Sequence, residues 1–315
     1  MKSFAFALTA QFFLALVNSM ALVASATVAE VWFPPSEMVL STTFTSLANF
    51  MGVGIGLVMP PYVGNVEITL MVEAGFGVIF LVAYIFLARK DPVRSPHAIA
   101  CSDISAFLLR WRETIVLLMC GSSIGTSYTL IGLFQQILSL NNYDSVQAGW
   151  AGLVLVAGGV TGGLIATVIV AKYHTFLLPL RIYIVLAIIA AVLQCVFLDI
   201  YSLYLVLDFL FGIGLVGFVP LAVRMGVIAA SPLDESIPTN LMFTSAQVFS
   251  LIYTYPIIYF QQGKGWSGLW GIALCTVLGF VPLFWFCDVK RGEGKSANVK
   301  LVEEEIVTGN HVLAD

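Results

Sequence analysis

The sequence predicts an all-α polytopic membrane protein of about nine spanning helices. Three observations lead there. Of its 315 residues, 59% are apolar and only 10% charged, with a mean hydropathy of +0.97, whereas a water-soluble domain carries about 25% charged residues. A chain this apolar has too little polar surface to face water, so its solvent is lipid. The apolar residues also fall in long runs, and a helix needs about 20 of them to cross the hydrocarbon. Finally, lysines and arginines gather in alternate connections, as they do when helices are oriented across a bilayer.

The runs are 4–27, 38–62, 67–88, 113–140, 146–171, 177–198, 201–230, 236–260 and 265–287. The first has a leader-like side: Lys2, an apolar run and Ala24-Ser25-Ala26 follow the order of a signal peptide. The run outlasts the usual h-region of ~7–15 residues, and its Gln11 and Asn18 suit a helix facing other helices. The second run holds Gly52, Gly54 and Gly56 and ends at Pro60-Pro61. Small residues let backbones approach in lipid, and neighbouring helices satisfy the groups that proline frees. In the fifth run Gly158, Gly159, Gly162 and Gly163 give overlapped G-x-x-x-G spacings, a helix-packing signal. Gly212, Gly214 and Gly217 in the seventh read the same way, with a kink expected at Pro220.

With the C-terminus cytoplasmic, that side receives Arg89, Lys90, Arg94, Arg110, Arg112, Lys172, Arg181, Arg224, Lys290, Arg291, Lys295 and Lys300, and the opposite side only Lys2 and Lys264. Nine spans in this orientation put Met1 outside. The reading expected from this is an N-terminally truncated form of a longer transporter; the alternative is a nine-helix protein with an external N-terminus. The connector at 89–112, with Asp91-Pro92 and Ser95-Pro96, has three runs before it and six after. Transporters of the major facilitator class are two six-helix halves built of nested three-helix repeats. The expected division is a partial first half at 1–88, a cytoplasmic connector at 89–112, a complete six-helix half at 113–288, and a disordered cytoplasmic tail at 289–315 rich in polar residues.

Function classes narrow by what is missing. The five cysteines form no C-x-x-C pair and mostly lie in apolar runs, as small hydrophobes do. His97, His174 and His311 fall in connections or the tail, and Gly52-x-Gly54-x-Gly56 follows no strand. No metal, cofactor, enzyme motif or nucleic-acid partner is expected; the expected partners are a small-molecule solute and the bilayer, with the chain a monomer.

Four polar or aromatic positions within the runs carry the candidate chemistry. Tyr128 follows Gly121, Ser122, Ser123, Gly125, Thr126 and Ser127, a small polar face that would be wasted on lipid. Its ring can hold a quaternary ammonium by cation–π attraction worth about 0.5–2 kcal/mol, or it can be a tyrosine packed between helices. Gln136 and Gln247 are amides inside spans, costly without partners; each reads either as a solute contact or as an interhelical hydrogen bond. Asp208, about two turns into the seventh run, is an intramembrane carboxylate, and such a group is a functional hypothesis by default: it can bind a cation or carry a coupling proton.

At 31–61 the pattern becomes recognisable. Trp32-Phe33-Pro34-Pro35, Glu37, Ala48-Asn49-Phe50-Met51-Gly52 and Met59-Pro60-Pro61, then Gly125-Thr126-Ser127-Tyr128 with Gln136, Ala148-Gly149 through Val156-Ala157-Gly158, and Ser245-Ala246-Gln247-Val248-Phe249 resemble the feline leukaemia virus subgroup C receptor-related transporters, solute carrier family 49 of the major facilitator superfamily. The resemblance covers the chain up to the tail and implies that it starts at the family's fourth helix. Members are associated with choline and ethanolamine uptake, haem export and, in one branch, vitamin B6-type substrates. The resemblance implies that Tyr128 is the aromatic contact of a cationic head group and Gln247 a pocket glutamine. Phe50 stands where choline-type members have a glutamine, which makes that wall apolar here. Ala171, Arg224 and Ile228 replace acidic residues of the family. The expected function is secondary transport of a small organic solute by alternating access, with a choline- or ethanolamine-like cation first, a haem or other organic-solute carrier second, and a non-transporting interaction or receptor-like membrane protein as the reading from another class.

Overall fold

The protein is described here by a computed structural model, which places residues 31–33, 35–87, 111–139, 141, 143–173, 177–230, 236–261, 273 and 276–280, with isolated positions before residue 30. Eight helices follow in order: α1 (Pro35–Val63), α2 (Val66–Leu87), α3 (Trp111–Ser139), α4 (Ser145–Tyr173), α5 (Leu177–Val196), α6 (Tyr201–Leu215), α7 (Val219–Ala230) and α8 (Ser236–Gln261). Among the described residues there is no strand, and six helical segments are long and apolar enough to span a membrane. The all-α polytopic class expected from the sequence is what the chain adopts. Most of the expected first span, connector and ninth span, and all of the tail, lie outside the described residues.

The helix ends follow from local chemistry. Gly64 closes α1 at φ +63°, a conformation that costs a residue without Cβ nothing, and its N–H bonds the Pro60 carbonyl at 3.0 Å. Asn65 then caps α2, accepting the Glu67 N–H at 2.9 Å. Between α3 and α4, the Asp144 carboxylate accepts the Ser145 N–H at 2.8 Å while Gln147 reaches back to the Asp144 N–H at 3.2 Å. The seventh apolar run is two helices. Pro220 has no N–H to give Val216, whose carbonyl takes the Val219 N–H at 3.0 Å instead, and the Gly217 N–H bonds the Gly212 carbonyl at 3.2 Å. The chain therefore turns at 216–218 between α6 and α7.

The bundle is built from two closely packed helix pairs, α3 with α8 and α4 with α6; α5 joins α6, α1 joins α4 and α7 lies against α3. The α4–α6 seam is lined by the glycines of the fifth and seventh runs. A methyl group at Gly158 would overlap the Phe209 carbonyl, one at Gly159 the Val216 side chain, and one at Gly212 the Leu155 carbonyl. The glycines of α1 behave differently from expectation. Residues two apart on a helix point about 200° from each other, so only one side of Gly52-x-Gly54-x-Gly56 can face a neighbour. That side is Gly54, against Val156 and Leu153 of α4; Gly52 and Gly56 meet nothing within 4 Å. The close α1–α4 approach comes from the α4 side, where Gly149 and Gly152 press on Leu57 and Gly163 on Leu47. α2 touches little but α1 and exposes almost its whole circumference, with Thr69 its one buried side chain among those described.

Candidate functional site

The small polar face of α3 is the place to begin, because its fate decides what Tyr128 is for. Ser122 exchanges a hydrogen bond with the Tyr253 hydroxyl of α8. Ser123 donates to the Gly279 carbonyl at 2.7 Å. Thr126 returns its hydroxyl to the Ser122 carbonyl at 3.1 Å. Ser127 donates to the Leu215 carbonyl at 2.8 Å, the acceptor left over where the turn at 216–218 diverts the Val219 N–H. Thr129 donates within 3.0 Å of the Ser250 backbone and side-chain oxygens. Apart from Thr126, which bonds within α3, the hydroxyls of this face stitch α3 to neighbouring segments.

Tyr128 is the exception within it. Its hydroxyl is enclosed and has no hydrogen-bond partner, while its ring stacks on Phe50 of α1 with centroids 6.3 Å apart and planes 26° from parallel. Phe50 is 3% exposed and part of the core. The structure therefore brings together two residues that stand 78 positions apart in the chain, one from each side of the 89–112 connector. Gln247 sits close by along the backbone: its neighbour Ala246 presses its carbonyl on Gly125, one turn before Tyr128 on α3. The Gln247 side chain itself is exposed. Gln136 is exposed two turns further along α3, and no contact joins its side chain to the Phe50–Tyr128 pair.

The neighbouring amide, Gln135, is the one with a structural task. Its Nε2 donates to the Leu57 carbonyl of α1. That carbonyl faces Pro61 four residues on, which has no N–H to offer. Sequence reasoning anticipated that a neighbouring helix would satisfy a group freed by Pro60-Pro61; which of two adjacent glutamines does so depends on a 100° rotation about α3. At the same end of the bundle, Trp150 Nε1 donates to the Tyr62 hydroxyl at 2.7 Å, an aromatic pair of the kind found at membrane interfaces.

Asp208 lies elsewhere, on α6 facing α5. It is fully enclosed, and Gln194 Nε2 donates to its Oδ1 at 2.7 Å. Its Oδ2, the Gln194 Oε1 and the Tyr204 hydroxyl have no hydrogen-bond partner. Gln194 drew no attention in the sequence, since nothing in a spacing of 14 residues across a turn signals a contact. Among the described residues no group of three or more His, Cys, Asp or Glu could hold a metal ion.

No family model matches the chain. It is similar to a choline/ethanolamine transporter of Danio rerio, 26% identical over an alignment of 255 positions that covers 72% of this chain and 54% of the relative. A choline/ethanolamine transporter of Homo sapiens is 23% identical over 310 residues, 88% of this chain and 59% of the relative. Solute carrier family 49 member A3 of Danio rerio is 27% identical over 266 residues, 79% of this chain and 56% of the relative. The chain thus spans little more than half the length of these curated relatives. It is related to the solute carrier family 49 transporters of the major facilitator class, as its motifs suggest.

Proposed function

We propose that this relative of the solute carrier family 49 transporters moves a small organic solute across a membrane by alternating access, and that the solute is a choline- or ethanolamine-like cation. The observation that carries the reading is the enclosed, unpartnered Tyr128 hydroxyl beside a stacked Phe50 ring. Every other hydroxyl from Ser122 to Thr129 is closed in a bond, to a neighbouring segment or, for Thr126, within α3, so among them Tyr128 alone keeps an open hydrogen-bonding valence and an aromatic face. A methylated ammonium makes no hydrogen bonds of its own and is held by ring faces; the alcohol of choline, or the ammonium of ethanolamine, can complete the phenol. Phe50 supplies an apolar wall, Gln247 the polar anchor nearest to the pair, and Gln136 a contact further along α3. The names of the relatives support a transported amino alcohol, and the division at 1–88, 89–112, 113–288 and 289–315, with a cytoplasmic C-terminus, supplies the two bodies that would rock about the Phe50–Tyr128 junction.

Uptake of radiolabelled choline and ethanolamine into proteoliposomes containing the full chain tests this. Tyr128→Ala is expected to reduce choline uptake about 2- to 30-fold, the span of a lost cation–π contact, while Tyr128→Phe keeps most of it. Equal choline uptake by wild type and Tyr128→Ala sinks the proposal. Transport of a porphyrin in place of either amino alcohol moves the reading to an organic-solute carrier, and transport of nothing in the panel to an interaction protein.

A further inference from the structure

The strongest unexplained feature of the molecule is the cluster of Asp208, Gln194 and Tyr204. All three side chains are 1% exposed or less. Tyr204 and Asp208 lie one turn apart on the same side of α6, and Gln194 meets them from α5. An ionised carboxylate held by one amide N–H in such a place costs several kcal/mol unless a cation offsets it. No cation is near. Arg181 is 13 residues back from Gln194 on α5, about 20 Å along the helix. Arg224 lies past the turn at 216–218, and Lys172 at the far end of α4.

Counting donors and acceptors points to what is missing. One of the two Gln194 Nε2 N–H groups donates to Asp208 Oδ1, and the other makes no bond to Oδ2. The unpaired atoms are two acceptors, Oδ2 of Asp208 and Oε1 of Gln194, and one phenol. The cluster is one donor short. A proton on the carboxyl supplies that donor and removes the charge together. A divalent cation would need about six or more oxygen ligands, twice the number on offer.

We propose that Asp208 is a proton-binding site: it holds a proton while enclosed, with Gln194 and Tyr204 as its hydrogen-bonding neighbours, and exchanges it with water at the end of the bundle closed by Tyr143 and Tyr201. The exit is marked by a run of tilted rings. Tyr143 lies 5.9 Å from Tyr204 and 5.5 Å from Tyr201, centroid to centroid. Each is latched to a backbone carbonyl, Tyr143 to Leu198 and Tyr201 to Gln147 at 3.0 Å. Unlatching these phenols opens the cluster. The proton on Asp208 then passes to water, leaving a carboxylate, and the carboxylate takes up a proton before the rings close again. The titratable groups around it are Tyr204 and Tyr201 on α6, Cys195 on α5, and Tyr143 and Asp199 in the adjoining turns; α4, packed on the other side of α6, carries no ionisable residue before Lys172.

Infrared titration of the full chain in liposomes reads the site without reference to any solute. Wild type is expected to show a protonated-carboxyl C=O stretch that Asp208→Asn removes. Asn keeps the Oδ1 acceptor for Gln194 and adds the missing donor, so the variant is expected to elute as a folded monodisperse peak. Tyr204→Phe is expected to shift the band without abolishing it, which keeps the test open should Asp208→Asn misfold. A spectrum unchanged by either substitution overturns the proposal. A second arm rests on the transport reading above: choline uptake should follow pH with a slope of at most about tenfold per unit, as for one proton, and Asp208→Asn should flatten it. Uptake that is equally pH-dependent in Asp208→Asn overturns the exchange step. A chain that moves no choline defeats the transport reading instead and leaves the infrared result to decide.

Discussion

The α4–α6 seam and the α1–α3 junction are both places where helices from distant parts of the chain meet, and they meet in opposite ways. Along the seam, glycine is pressed on carbonyl: Gly158 under Phe209, Gly212 under Leu155, Gly162 against Ile213. At these three positions backbone meets backbone, and nothing is left to bind. At the junction, side chains hold the helices apart. Phe50 and Tyr128 fill the space with two rings, and one hydroxyl stays unpaired. The comparison separates two uses of the same lipid-phase rules. Small residues make a contact permanent, because separating two close-packed backbones forfeits many dispersion contacts together. A ring pair with an open valence makes a contact that a solute can complete, or replace.

Glycine substitution tests the seam most severely. Gly212→Ala puts a methyl group into the Leu155 carbonyl, backbone against backbone, so α4 and α6 must separate. Overpacking of this kind costs about 1–3 kcal/mol, and thermal unfolding followed by size-exclusion chromatography in detergent should show a clear loss of stability. Gly52→Ala is the control from α1. With nothing within 4 Å, it should be neutral or slightly stabilising, since Ala exceeds Gly in helix propensity by about 1 kcal/mol. If both glycines behave alike, the distinction between a packed and an open face is wrong.

Much of the seam was legible in the sequence, and the reason is that packing leaves a periodic trace. The apolar runs at 113–140 and 146–171 match α3 and α4 within about two residues, because hydrophobic length is set by bilayer thickness. The G-x-x-x-G spacings marked α4 as a packing helix without naming its partners: Gly158, Gly159 and Gly162 meet α6 and the turn after it, and Gly163 meets α1. Where the trace is not periodic, reading failed. Gly52 and Gly56 carried the same residue type as Gly54 with no sign of which side faces protein. Nothing in the sequence told Gln135, which bonds the Leu57 carbonyl, from its neighbour Gln136. Asp208 was visible as a lone carboxylate, but Gln194, which meets it from α5, was not, because a contact across a turn depends on the rotation of two helices. Of the candidate site, Tyr128 stood out by the small polar face it follows, whereas Phe50 came through the resemblance.

The junction is tested by changing its wall. Phe50→Gln replaces the apolar ring with an amide. It removes the stacking partner of Tyr128, worth about 0.5–1.5 kcal/mol beyond burial, and offers the phenol a hydrogen bond. Choline uptake by this variant is expected to rise a few-fold over wild type at equal protein level, because a polar wall suits the alcohol of choline, while stability drops by about the stacking term. Uptake that falls in step with stability would mean that Phe50 only holds the helices together, and the junction would be one more seam.

The smallest effect is the most specific. Gln135 donates to the Leu57 carbonyl, an arrangement that makes sense only because residue 61 is a proline. Gln135→Leu should destabilise the fold by about 0.6 kcal/mol, the average for an interhelical hydrogen bond in a membrane. In a Pro61→Ala background the restored N–H can reach Leu57 within α1, the carbonyl no longer depends on α3, and Gln135→Leu should cost almost nothing. A double-mutant cycle on unfolding midpoints measures the difference. Equal costs in both backgrounds would show that the amide steadies α3 for some other reason, and that the proline near the end of α1 is not what ties that helix to the body carrying Tyr128.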